Sequence, residues 1–191
     1  MSNPERNLLE AFLEGGEAIA DLIINNEAIE AVPVVGTAFK LSRGLTDLRS
    51  RALRAKLHKF LTEPSLIRSI EAGRLRDRLN SDEHRSAIGE ALFLTLDKVT
   101  DLKKPALLGR AFAGYLDEVI DTETLLALAH AVDLAFVYDL EYFLTHHDPE
   151  GQEGNPSAFR LLPSGLVDYS NFKDTPLGAA LRAVTSHTQA P

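Results

Sequence analysis

The chain contains no cysteine. It therefore has neither a disulfide framework nor a thiolate nucleophile, and a reducing intracellular compartment is its natural setting. Long apolar runs are missing as well. The longest stretch, roughly Ala18 to Phe39, is interrupted by Asp21, Glu27, Glu30 and Pro33, which falls short of the roughly 18 uninterrupted apolar residues of a membrane-spanning helix. No signal peptide is expected, because Met1-Ser2-Asn3-Pro4-Glu5-Arg6 leads into an apolar pattern broken by Glu10, Glu14 and Glu17. The common catalytic signatures are absent too: no Gly-x-Ser-x-Gly elbow, no phosphate-cradling glycine loop, no dinucleotide fingerprint, and neither His-Glu-x-x-His nor Glu-x-x-His. Internal repeats and low-complexity tracts are also lacking. These absences predict a soluble, cytoplasmic, non-enzymatic protein without cofactor or metal, whose contact with the inner membrane would be peripheral.

What is present is a chain of 191 residues, 45% hydrophobic and 25% charged, a balance and length that suit one globular domain or one domain with a small appendage. Its net charge of −8 is unevenly spread. Residues 1–39 carry seven acids and one Arg, residues 40–85 carry twelve Lys and Arg against six acids, and residues 86–191 carry seven bases against fifteen acids. Only the middle segment opposes the overall charge, so a polyanion or anionic surface would dock there.

Apolar periodicity predicts helices over about 4–31, 38–61, 65–79, 82–99, 105–120 and 122–146. Pro33 closes the first, and Gly36-Thr37 supplies a turn and an N-cap for the second. At about 100° per residue, Leu41, Leu45, Leu48 and Ala52 share one sector of the second helix and Phe39, Leu53, Leu57 and Phe60 a neighbouring one. Lys40, Arg43, Asp47, Arg51 and Arg54 form a basic ridge opposite. Asn80 with Glu83 reads as a capping box, Pro105 suits a first helical turn, and Asp121 or Thr122 caps the helix that follows. That long 122–146 helix is apolar over most of its circumference, which places it at the centre of the bundle or in a subunit interface of a homo-oligomer. Residues 147–156 hold two prolines, two glycines and no apolar residue, and so form a linker. A short helix near 157–162, a small hairpin through Ser170-Asn171, and a helix opened by Thr175-Pro176 complete the chain. The predicted architecture is an all-α multi-helix bundle over 1–146 with a helix-hairpin-helix, winged-helix-like appendage over 157–191.

The string Val32-Pro33-Val34-Val35-Gly36-Thr37, followed by a basic helix ending in Lys56-Leu57-His58-Lys59-Phe60-Leu61, resembles a pattern in small uncharacterised helical bacterial proteins. Ser164-Gly165-Leu166-Val167 followed by Thr175-Pro176-Leu177-Gly178 resembles the winged-helix-like tail of such proteins, although hairpin strands here would span only three or four residues. The resemblance implies a bacterial or phage origin, a helical fold and a setting in phage defence or immunity. It brings no catalytic residues.

His146-His147-Asp148 with Asp139 and Glu141 upstream has metal-ligand chemistry but not the three- or four-residue spacing on one face that a helical site needs. His130 and Asp133, three apart, suit an internal hydrogen bond better than an acid/base pair. For DNA reading, the tail offers only Arg160 and Lys173, and Arg74-Leu75-Arg76-Asp77-Arg78 lacks aromatics for base stacking, so nucleic acid is not the expected partner. The leading expectation is a protein partner met by Lys40, Arg43, Arg51 and Arg54 or by the exposed part of the 32–39 turn, Val34, Val35 and Phe39. The first alternative is an anionic membrane surface met by the same turn with the arginines behind it, and the second is a DNA-binding regulator.

Overall fold

The computed structural model describes residues 32–34, 37, 48–79, 81–147 and 154–186. Among these residues the chain is all-α, as the periodicity predicts. The helices are α1 (Leu48–Leu61), α2 (Pro64–Glu71), α3 (Arg74–Arg78), α4 (Asp82–Lys98), α5 (Lys104–Leu116), α6 (Thr122–Leu134), α7 (Val137–Thr145), α8 (Pro156–Leu161) and α9 (Pro176–Ser186), with a 3₁₀ turn at Leu162–Ser164.

The central element is α5, not the 122–146 segment. Its sequence, Lys-Pro-Ala-Leu-Leu-Gly-Arg-Ala-Phe-Ala-Gly-Tyr-Leu, is small or apolar almost all round, and every residue except Ala106 and Arg110 is buried. A helix without a polar face must be enclosed, and α1, α2, α3, α6 and α9 all pack on it. Pro105 sits in its first turn, where a missing N–H costs nothing. Phe112 and Tyr115 of α5 stack in series with Phe60 of α1, each pair of ring centroids 6.0 Å apart.

Three predicted helices end earlier than their apolar patterns. The 65–79 helix divides at Gly73, which has a φ of 79°. The 105–120 helix stops at Leu116 in a Schellman turn: Val119 N–H bonds Gly114 O at 2.8 Å, Glu118 N–H bonds Tyr115 O at 3.2 Å, and Glu118 takes a φ of 62°. The 122–146 segment breaks at Ala135 and Phe136, both extended. Of the two caps offered for the 122 helix, Asp121 is the one used, accepting from Thr124 N–H at 2.8 Å, and where Thr175-Pro176 opens the last helix Thr175 accepts from Gly178 N–H at 3.1 Å. The cap of α4 is Ser81, which accepts from His84 N–H, rather than the expected Asn80, which lies outside the described residues.

In the C-terminal segment the expected hairpin reduces to a single antiparallel bridge, Val167 to Asp174. No two-stranded wing forms among the described residues. Ala158, Leu161, Leu166, Leu181 and Val184 share one core with Phe112 and Leu128. The predicted helix over 4–31 and most of the 147–156 linker lie outside the described residues.

Val32 and Val34 are fully buried. Pro33 between them lies against α4 so closely that a Cβ on Gly89 would come within 2.6 Å of the Pro33 carbonyl oxygen. Thr37 donates its hydroxyl to that same carbonyl, and the residues it is expected to cap lie outside the described residues.

Two substitutions test these placements. Gly89→Ala gains about 1 kcal/mol of helix propensity, yet backbone on the far side of the contact gives way poorly. A net loss of about 1–2 kcal/mol in urea unfolding is expected, and a more stabilised variant would contradict the docking of Pro33. Glu118→Gly relieves a left-handed residue at the cost of chain entropy, so a gain of about 0.5–1 kcal/mol is expected. Unchanged or lowered stability would mean that the turn is not strained at Glu118.

Candidate functional site

The one stripe of α5 that other helices leave less than buried carries Ala106 and Arg110, four residues apart, with Lys103 at the helix N-cap three residues before. This stripe floors a groove of about 970 Å³. Its far wall is α7, through Val137, Glu141, Tyr142, Leu144 and Thr145, while Lys59 closes one side and Thr185 and Ser186 another. Leu102, Leu107, Val137 and Leu144 make the apolar part of the lining.

The charged groups are held differently from one another. Lys59 stands exposed in the last turn of α1, where the helix dipole favours a cation. Arg110 is anchored through Nε to Oε1 of Glu63 at 3.2 Å. Glu63 is only 5% exposed and also accepts from Ser65. Lys103 meets Glu141 at 2.6 Å, and that hydrogen bond raises its pKa above the usual lysine value. The lining therefore carries three cations and one carboxylate. Its hydroxyls come from Tyr142, Thr145, Thr185 and Ser186, and Thr145 Oγ1 lies 2.8 Å from His146 Nδ1.

The wall exists because of the break between α6 and α7. Lys104 is 7% exposed and gives its ammonium to the Asp133 carbonyl at 2.8 Å, at the C-terminus of α6. Burial lowers its pKa. Asp139, 1% exposed, sits in the first turn of α7 and receives Arg160 Nε at 2.7 Å and Nη2 at 2.5 Å. Those hydrogen bonds hold its carboxyl below the usual range. A buried cation at the negative end of one helix and a buried anion at the positive end of the next stabilise two separate helices over one. The break leaves Leu134, Phe136 and Tyr138 exposed, at 51%, 55% and 64%. The Phe136 and Tyr138 rings lie 5.2 Å apart, and Lys103 sits over Tyr138.

The residues singled out from sequence fall elsewhere. Lys40, Arg43, Val35 and Phe39 lie outside the described residues, as does the side chain of Arg51. Arg54 is half-buried, its Nε sequestered without a hydrogen-bond partner, and Ala52, expected on an apolar face, is exposed. Val34 belongs to the core, so its side chain is not offered to a partner. His130 is exposed on α6, while Asp133 gives its backbone carbonyl to Lys104. His146 stacks on Tyr142, His147 faces Asp174 at 3.5 Å, and Asp139 and Glu141 are paired as above. Among the described residues no group of three or more such side chains could hold a metal ion, and no helix is long and apolar enough to cross a membrane. The groove residues were missed because Lys59, Lys103, Arg110 and Glu141 are far apart in sequence. The available signal was the lone Arg110 on an otherwise apolar helix, seven residues after Lys103.

No family model matches the chain, and neither the curated proteins nor the solved structures contain a match to it.

The Asp139–Arg160 pair yields a pH test. Arg160→Ala leaves the buried Asp139 carboxylate without a counter-ion, so the variant should be less stable than the wild type near neutral pH. In the wild type the depressed Asp139 pKa gives stability that is present above the usual carboxylate range and lost as pH falls through the folded value. The variant can bury Asp139 neutral, so the gap between the two proteins should narrow as pH falls toward about 4 and close only below the depressed folded value of Asp139. Urea unfolding across that range measures it, and a pH-independent gap would remove Asp139 as the cause.

Proposed function

We propose that this chain is a non-enzymatic binding protein that docks another protein in the groove between α5 and α7. The observation that carries the reading is a cation-rimmed apolar groove whose Lys103 sits over the exposed Tyr138, itself paired with exposed Phe136, on a chain of net charge −8. Aromatic and arginine side chains around an apolar centre are the composition of protein interfaces, and contiguous exposed apolar surface marks them. A protein is favoured over a lipid surface because Val32 and Val34, the apolar half of the turn that would insert, are buried. It is favoured over DNA because Arg160 is engaged by Asp139. Phage defence or immunity, which the sequence resemblance implies, is the setting we propose for this docking.

Affinity capture from the native host tests the reading, with tagged wild type compared against Leu102→Asp with Tyr138→Ser. Both positions are exposed, so the variant should fold as the wild type does. Leu94→Asp, on an exposed position of α4 outside the groove lining, serves as the control. A partner kept by wild type and control and lost by the groove variant is the expected outcome. Recovery that is insensitive to the groove variant but sensitive to Leu94→Asp would place the interface elsewhere.

A further inference from the structure

We infer that the groove takes an acidic amphipathic helix of the partner protein. The inference rests on the docking reading above and adds the chemistry of what docks. Its first support is charge. Lys59 makes no ion pair among the described residues, and Lys103 commits to Glu141 only one of the three donors an ammonium carries. Arg110 is held by Nε alone, so both Nη groups have no hydrogen-bond partner among the described residues. A guanidinium fixed at one end, with no described residue on its fork, is arranged to receive a carboxylate. Glu63, which fixes it, is buried and cannot fill the fork from solvent.

The second support is shape. The floor and far wall come from two helices, and α7 is nine residues long, about 13 Å at 1.5 Å per residue. A helix of two to three turns matches that length, with residues at i, i+3 or i+4 and i+7 resting on Leu102, Leu107 and Leu144. A free anion or a phosphate headgroup would use the cations and leave this apolar lining unfilled. The rest of the molecule adds selectivity, since residues 86–191 carry fifteen acids against seven bases. An acidic segment is repelled from most of that surface and attracted at this groove.

Fluorescence anisotropy at low salt tests the inference on the full chain. The probes are three labelled 18-residue peptides: Glu-rich with Leu and Phe at helical spacing, the same composition scrambled, and the patterned peptide with Lys in place of Glu. The acidic patterned peptide should bind about tenfold tighter than either other, and Lys59→Glu or Leu102→Asp should each weaken it about tenfold. Both positions are exposed, and circular dichroism checks that the variants stay folded. Equal binding of the scrambled or basic peptide overturns the inference, as does indifference to both variants. Anionic phosphatidylserine vesicles that recruit the protein in a Lys59-dependent way while no peptide binds would overturn it in favour of a lipid surface. Self-association lost in Leu102→Asp by analytical ultracentrifugation would overturn it in favour of a second copy. If groove variants abolish partner capture yet no acidic peptide binds, the docking reading stands and this inference falls; if capture is also indifferent to them, both fall.

Discussion

The structure depends on the enclosure of α5. Eleven of its thirteen residues are buried, so this helix is stable only when neighbours cover nearly its whole circumference, and the order of the other helices follows from that demand. The α1–α2 corner reaches it at Gly109, where a Cβ would meet the Phe60 carbonyl oxygen at 2.8 Å. Helix α9 reaches it at Gly114, where a Cβ would collide with Val184. Glycines at both contacts let backbones approach closely, which lets several helices crowd one axis. The enclosure is incomplete along one stripe only, and the groove lies there. The same constraint that builds the core therefore decides where the molecule has a concave surface left to offer.

A second constraint acts at the junction of α6 and α7. By apolar pattern, 122–146 reads as one continuous helix, and no proline or glycine interrupts it. What favours the break is long-range: the ammonium of Lys104 at the end of α6 and the carboxylate of Asp139 at the start of α7 each gain a buried helix terminus that a continuous helix would not have. Both charges are stabilised by what they meet, Lys104 by the Asp133 carbonyl and Asp139 by the Arg160 fork. Breaking there aims α7 along the open stripe of α5 and leaves Phe136 and Tyr138 outside. The wall of the groove and the exposed aromatics share this one cause.

Much of the helical content was legible, because burial imposes the 3.6-residue period directly on α1, α4, α5 and α6. The cap at Asp121 or Thr122 and the helix opening at Thr175-Pro176 were legible because they use local side chains. Terminations were not. The end of α5 uses Glu118 in a left-handed conformation where glycine is the usual residue, and the α6 break is set by partners from α5 and α8. The site was less legible still. The sequence located positive charge on 40–61, but among the described residues of that segment only Lys59 lines the groove. The other cations, Lys103 and Arg110, come from the segment whose net charge is negative. Segment totals average over faces, whereas a groove collects single residues from many segments.

The charges of this protein therefore serve two roles that burial separates. Lys104 and Asp139 are almost wholly buried, each satisfied by a group from another helix, and they hold helix ends in place. Lys59 and Lys103 face water and do little to hold the fold, since exposed ion pairs contribute weakly. Arg110 belongs to both sets. Its Nε ties α5 to Glu63 at the start of α2, and its side chain lines the groove. A partner's carboxylate on that fork would meet a guanidinium whose orientation the core has already fixed, so little conformational entropy is lost in forming the contact. The buried Glu63 gives Arg110 a rigidity that Lys59 and Lys103 lack, and this makes Arg110 the residue of the groove best placed to impose geometry as well as charge on what binds.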